Sequence, residues 1–239
     1  MKAADTSGDA ITGGYLMEMD VLFDEANKFH SSIYQLPYMF KAPDEEDLQV
    51  VQFEYFQNYI SNLENCLSSE NWLDNREYVE YLDIGSFIDW WFVYELAMND
   101  ESKWPKSAYV YKDRLGKLQA GPVWDFDWET FIPSRSNSFM AKDFIYYNRL
   151  FQDPVFVEEV KRRWDSYKYL FSEVPDYIRD VASYIRRSND TDYTMWPLSA
   201  HEFGSVNGDS ELSFDDAINR IINSYISKLD WLDEQITNM

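Results

Sequence analysis

The densest group of carboxylates in the chain is Trp124-Asp125-Phe126-Asp127-Trp128-Glu129, directly after a predicted strand. In extended backbone successive side chains alternate, so Asp125, Asp127 and Glu129 are expected on one side, with neighbours about 6.6 Å apart. Two carboxylates at that spacing repel by about 2.5 kcal/mol at an effective dielectric of about 20. A hard divalent cation is one way to compensate, because Mg²⁺ takes one or two carboxylates and completes its shell with water or phosphate oxygens. A solvated, splayed turn without a ligand is the other. A second acidic group, Glu95 followed by Asn99-Asp100-Glu101, lies where an apolar helix gives way to a hairpin. Catalytic groups often sit on loops held by rigid elements, although Asn and Asp also simply end helices.

The elements that must position these residues are legible from periodicity. Tyr15, Met17 and Met19 alternate with Leu16, Glu18 and Asp20, the pattern of a strand. A second extended piece is expected around 32–40, ending at Lys41-Ala42-Pro43, with Asp44 as N-cap of a helix running to about Leu67. A short helix near 76–82 leads to Asp83, expected to cap a helix over 84–98. Its apolar stripe is Ile84, Phe87, Ile88, Trp91 and Tyr94. Glu95 falls on that face and must be paired or functional, because burying a lone carboxylate is costly.

Segments 107–112 and 117–123 predict a hairpin turning through Asp113-Arg114-Leu115-Gly116. Beyond a polar loop at 134–138, helices are expected over 142–151, 154–171, 175–188 and 213–237. The last is introduced by Ser213 and Asp216 in capping-box positions, and a polar loop is expected over 189–209. Strands, a helical block, a hairpin and more helices make an α+β chain.

Composition removes several classes. The 239 residues carry 21 basic against 43 acidic side chains, a formal charge of −22, which repels phosphate backbones and anionic headgroups and excludes nucleic acid as the expected partner. The same excess is compatible with divalent cations, with a basic protein substrate, or with nothing more than solvated surface. Aromatic residues make up 18%, which fits packing between helices or a sugar-binding surface. Cys66 is alone, so no internal disulfide forms, and with only His30 and His201 beside it a structural zinc site is not expected. Segment 1–14 is polar without a secretory apolar core, and the most apolar stretch, 84–98, contains Asp89 and Glu95 and is too short to span a bilayer.

A base-bearing loop, a hairpin and then Asp-Phe-Asp follow the order in which protein kinases place their catalytic loop and metal-binding Asp-Phe-Gly, with Asp127 in place of the glycine. The run from Glu95 through Asn99-Asp100-Glu101-Ser102-Lys103-Trp104-Pro105-Lys106-Ser107 to Asp113 resembles the central motif of the CotH (spore coat protein H) family. So do Gly116-Lys117-Leu118 with Gly121-Pro122-Val123-Trp124-Asp125-Phe126-Asp127, the strand Gly13-Gly14-Tyr15 to Asp20, and Lys41-Ala42-Pro43. The matching motifs lie roughly within residues 12 to 131.

The resemblance implies an atypical protein-kinase-like fold, with partial small-lobe strands in 1–43 and a helical large lobe with a catalytic hairpin in 44–239, the rest of the small lobe lying upstream. It implies a phosphotransferase that uses ATP with Mg or Mn and acts on protein, a Ser-rich or basic substrate being expected. Association with the spore coat or cell envelope is implied with it. Asp100, beside Asn99, matches the catalytic-loop aspartate that holds or deprotonates the acceptor hydroxyl. Asp125 matches the metal-binding aspartate, with Asp127 as helper. Ser107 stands where many members carry a metal-contacting asparagine. Lys41 is the nearest basic candidate to grip phosphate. Glu18 is a candidate for the nucleotide cleft or an exposed strand residue, and Lys106, with Lys103, for phosphate contact or surface charge. Two readings stand beside this one: a catalytically inactive kinase-fold module for binding or assembly, and a glycoside hydrolase using carboxylates such as Glu95 and Asp125.

Overall fold

The computed structural model describes residues 1–127, 130–197 and 212–239, so Glu129, His201 and most of the loop expected before residue 209 lie outside the described residues. Five antiparallel strands, β1 Tyr15–Met19, β2 Lys28–His30, β3 Pro37–Ala42, β4 Ala108–Lys112 and β5 Leu118–Ala120, form one sheet in the order β2-β3-β1-β4-β5. The helices are α1 Val50–Ser68, α2 Trp72–Asn75, α3 Ile84–Leu96, α4 Tyr147–Leu150, α5 Pro154–Met195 and α6 Phe214–Thr237. The chain is thus α+β, as its periodicities predict. It divides into two compact units. One comprises 1–94, 100–125 and 140–157, and the other 95–99, 126–139 and 158–239.

In the first unit the alternation read in β1 has its expected consequence. Tyr15, Met17 and Met19 are buried, and Tyr15 meets Phe56 of α1 at 5.2 Å between ring centroids. On the neighbouring strand Phe40 stacks on Phe53 of α1, also at 5.2 Å. One face of the sheet is therefore closed by an aromatic layer, leaving the other to carry Glu18, Lys41 and Tyr109. The hairpin turn is pressed against the N-terminal segment. A Cβ on Gly13 would lie 1.9 Å from the backbone nitrogen of Arg114, so only glycine fits there. The Leu115 amide, in a left-handed residue at φ 57°, donates to Thr12 Oγ1 at 2.9 Å.

Several boundaries differ from the sequence expectation. Asp44 does not cap α1. Its carbonyl closes a turn onto the amides of Asp47 and Leu48, and the cap is Gln49, whose amide donates to Gln52 Oε1 at 2.9 Å in a capping box. Over 76–82 no α-helix forms, because Arg76 is left-handed (φ 46°) and separates α2 from a 3-10 turn at Glu77–Glu80. The Arg76 guanidinium instead reaches Asp153 at 2.9 Å, and Tyr78 donates to the same carboxylate at 2.6 Å. Asp83 does cap α3, accepting from the Ser86 amide at 2.8 Å. The helix expected over 142–151 shrinks to α4, since Ile145 has φ 52°, outside helical space for a β-branched residue.

In the second unit, the expected break at Pro175 is absent, and α5 continues through it and past residue 189 to Met195. Proline removes the N–H that would bond the carbonyl four residues back. That carbonyl belongs to Phe171, and Tyr225 of α6 donates its hydroxyl to it at 3.0 Å. Ser213 caps α6, accepting from the Asp216 amide at 3.1 Å. Glu95 proves to be paired, with Lys228 Nζ 2.9 Å from its carboxylate and both side chains fully buried. Burial pushes the Lys228 amine down, and the Glu95 charge and hydrogen bond offset part of that effect. Among the described residues no helix is long and apolar enough to cross a membrane.

Candidate functional site

The site grows from the start of β4. Ser107, the residue before that strand, holds a left-handed backbone (φ 49°), a conformation that costs a non-glycine residue about 1–3 kcal/mol and persists only where its surroundings enforce it. The enforcing group is Asp20, at the end of β1 and 5% exposed. Its Oδ2 accepts from the Ser107 amide at 3.1 Å, and its Oδ1 accepts from the Leu22 amide at 2.7 Å. Thus oriented, Ser107 donates its hydroxyl to Asp125 Oδ2 at 3.2 Å.

Asp125 is itself left-handed, at φ 64°, which aspartate tolerates better than most residues. The backbone at Asp125 is therefore not extended, and the alternation that would align Asp125 with Asp127 does not govern it. The Asp125 carboxylate is exposed, and its Oδ1 has no hydrogen-bond partner among the described residues. Asp127 and Asn99 belong to the second unit, the first exposed and the second buried.

Beside this centre runs a polar line across three strands. Glu18 of β1 accepts from the Tyr109 hydroxyl of β4 at 2.9 Å and lies 3.3 Å from Lys41 Nζ of β3. Lys41 also bonds Glu25 at 2.5 Å, and the Glu25 hydrogen bond is the main reason its amine is held more basic than usual. Glu18 is nearly buried, so the exposed-strand alternative does not hold. Lys41 lines a pocket of about 230 Å³ shared with Glu25, Asp44 and Glu45. Burial first, then the bond to Glu18, pushes the Tyr109 phenol up to about 12, so Tyr109 remains a hydrogen-bond donor at neutral pH.

Asp100 stands half-buried at the head of the 3-10 turn Glu101–Lys103. Its φ of −106° and ψ of 12° lie in the bridge region that active-site residues often occupy. Its carbonyl accepts from the Lys103 amide at 2.9 Å. Lys106 Nζ is 3.8 Å from the Glu101 carboxylate, while Lys103 lies over the rings of Trp104 and Phe144. Burial raises the pKa of Tyr94, and the charges of Glu101 and Asp125 raise it further. A negative field therefore converges on that end of the unit.

The first unit thus gathers Ser107 with Asp125, and Glu18 with Lys41. Asp20 and Tyr109, which hold Ser107 and Glu18 by hydrogen bonds, are contacts that the sequence did not single out. The signal for Asp20 was available, as a carboxylate closing an alternating apolar strand within the matched motif. Nothing short of strand register points to Tyr109, which faces Glu18 only because β4 pairs with β1.

The donors around Asp125 are oxygens, with one carboxylate oxygen unengaged, and they fit a hard divalent cation. Among the described residues no group of three or more His, Cys, Asp or Glu side chains is gathered for a metal. Remaining ligands would come from water and phosphate, as is usual for Mg²⁺. In comparison with known proteins, a family model described as CotH kinase protein matches residues 4–232. No curated protein and no solved structure matches the chain.

Proposed function

The chain belongs to the CotH kinase family, and from that premise we propose that it is an atypical, kinase-like phosphotransferase acting on a protein hydroxyl with Mg-ATP or Mn-ATP. The observation that carries this reading is the relay Asp20–Ser107–Asp125, in which a buried carboxylate fixes a strained serine that in turn aims an exposed carboxylate. Phosphoryl transfer depends mostly on positioning and charge neutralisation, and a preset acidic oxygen site supports both.

In this reading Asp125 would hold the metal, with the Ser107 hydroxyl contributing directly or through water, and Asp127, two residues on in the chain, would be the helper that the family motif implies. A bound magnesium ion would supply neutralisation of the phosphate charge. Asp100 orients the acceptor hydroxyl and takes its proton on a carboxylate oxygen, with Asn99 beside it in the chain. Glu18 and Lys41, paired at 3.3 Å across β1 and β3, are the candidates for nucleotide binding, and Lys106, 3.8 Å from Glu101, is a candidate for phosphate contact. We read 1–43, which holds β1 to β3, as part of a small lobe, and 44–239 as a helical large lobe of kinase-like fold. Spore-coat or cell-envelope proteins that are Ser-rich or basic are the substrate class consistent with family and charge.

A second reading, a catalytically inactive kinase-fold module for binding or assembly, is favoured by one feature. Lys41 is tied to two carboxylates in a pocket with two more, a poor setting for gripping phosphate. Thermal unfolding with Mg²⁺ or Mn²⁺ and ATP separates the two. Ligand at about 100 times its dissociation constant adds about 2.7 kcal/mol, raising Tm by roughly 5–11 °C for a chain of this size. Active-site binding predicts a metal-dependent rise that Asp125→Ala abolishes. No rise in a folded sample supports the inactive module.

A further inference from the structure

Helix α5 presents a stripe left uncovered among the described residues. Leu170, Glu173, Tyr177, Asp180 and Tyr184 follow one another at steps of three and four residues, the spacing that keeps side chains on one seam of a helix. The apolar members are open to solvent, with Leu170 44%, Tyr177 69% and Tyr184 88% exposed. The opposite side of the helix carries the buried Pro175 and Ala182.

The stripe also carries charge, although it is not alone on α5 in this, since Glu158, Asp190 and Asp192 likewise have no ion-pair partner among the described residues. Glu159, Asp165 and Asp176 each meet an Arg or Lys of the same helix. Glu173 and Asp180, the two carboxylates between the apolar residues, have no ion-pair partner among the described residues. Within Leu170–Tyr184 the seam therefore alternates an apolar layer with an unneutralised acid layer.

We propose that this face of α5 docks a basic amphipathic helix of a partner protein, whose apolar residues cover Leu170, Tyr177 and Tyr184 while Lys or Arg side chains meet Glu173 and Asp180. Charge complementarity selects that occupant. An anionic lipid surface or a nucleic acid is repelled by the two carboxylates and by the net charge of −22. A second copy aligned in parallel would set each carboxylate against its equivalent, a like-charge pairing that specificity devices in coiled coils avoid. Exposed tyrosine rings also accept Lys or Arg over their faces. The inference stands on α5 alone and does not rest on the phosphotransfer reading.

The test is binding of the full chain to a synthetic helical peptide with leucine at one heptad position and lysine at the other. The control peptide carries glutamate in place of lysine. The lysine peptide is expected to bind in low salt and to weaken as salt is raised. Affinity is expected to fall by about tenfold in Tyr177→Ala/Tyr184→Ala, which loses two ring contacts. The charge-reversed Glu173→Lys/Asp180→Lys chain is expected to prefer the glutamate peptide. All four substitutions lie on exposed positions, and circular dichroism checks that the helix survives. Equal binding of both peptides, no binding of the lysine peptide, or affinity unchanged in the variants overturns the proposal. So does self-association of the wild-type chain that Tyr177→Ala/Tyr184→Ala removes, which would make the face a dimer interface.

Discussion

Ser107 shows how much a single residue's chemistry depends on its backbone. Its hydroxyl reaches Asp125 only because its φ is positive, and that conformation is held by the Asp20 carboxylate. Asp20→Asn keeps the size but replaces one acceptor oxygen with a donor that faces an amide N–H. It is expected to loosen Ser107 and to weaken the Mn²⁺ binding proposed at Asp125 by about tenfold, since one such charged hydrogen bond is worth roughly 1.5–3 kcal/mol. Titration of the folded variant with Mn²⁺ checks this, and wild-type affinity in the variant would mean that Ser107 is set by something other than Asp20. Asp20 sits in plain view in the sequence as the end of a strand. Its role does not, because it reaches a residue 87 positions away.

Elements show where local rules give way. Pro175 predicts the end of a helix, yet α5 runs through it because the Tyr225 hydroxyl occupies the Phe171 carbonyl that proline leaves open. Tyr225→Phe is expected to lower stability by about 1 kcal/mol. In Pro175→Ala, where a backbone N–H returns to that carbonyl, the same change is expected to cost less. Urea denaturation of the four chains measures the coupling, and equal costs in both backgrounds would show that the two groups act independently. The hairpin turn gives the complementary case. Gly13 is required by the approach of Arg114, so Gly13→Ala is expected to destabilise the sheet, with loss of near-ultraviolet signal from its aromatic layer at lower denaturant.

At the scale of the whole molecule, stability rests in part on a few buried charges. Burial alone would raise the Asp153 carboxyl, but hydrogen bonds from Arg76 and Tyr78 outweigh it and hold its pKa below the usual value of 3.8. A carboxylate with a depressed folded pKa contributes stability above its unfolded pKa and loses it as pH falls through the folded value. The wild type is therefore expected to exceed Asp153→Asn in unfolding free energy at neutral pH, with the difference shrinking below about pH 4. A difference that is constant between pH 7 and the acid limit would assign the effect to packing. The pair Glu95–Lys228, fully buried, behaves differently. Lys228→Met removes the cation beside a buried carboxylate and is expected to cost about 3–5 kcal/mol, whereas replacing both partners with apolar residues is expected to recover most of that loss.

The α+β class, the strand at 15–19, the capped helix at 84–96, the hairpin and the family's acidic motifs were all determined by the sequence alone. Each follows from interactions between near neighbours, whether alternation, helical spacing, a cap or a turn. Where Glu95 finds its cation, why Pro175 does not break α5, and which groups face Glu18 were decided only by the tertiary structure. Lys228, Tyr225 and Tyr109 lie 133, 54 and 91 residues from their partners. Local pattern carries no record of such pairings, because they form only when packing brings distant segments together and burial makes an unpaired polar group too costly to leave.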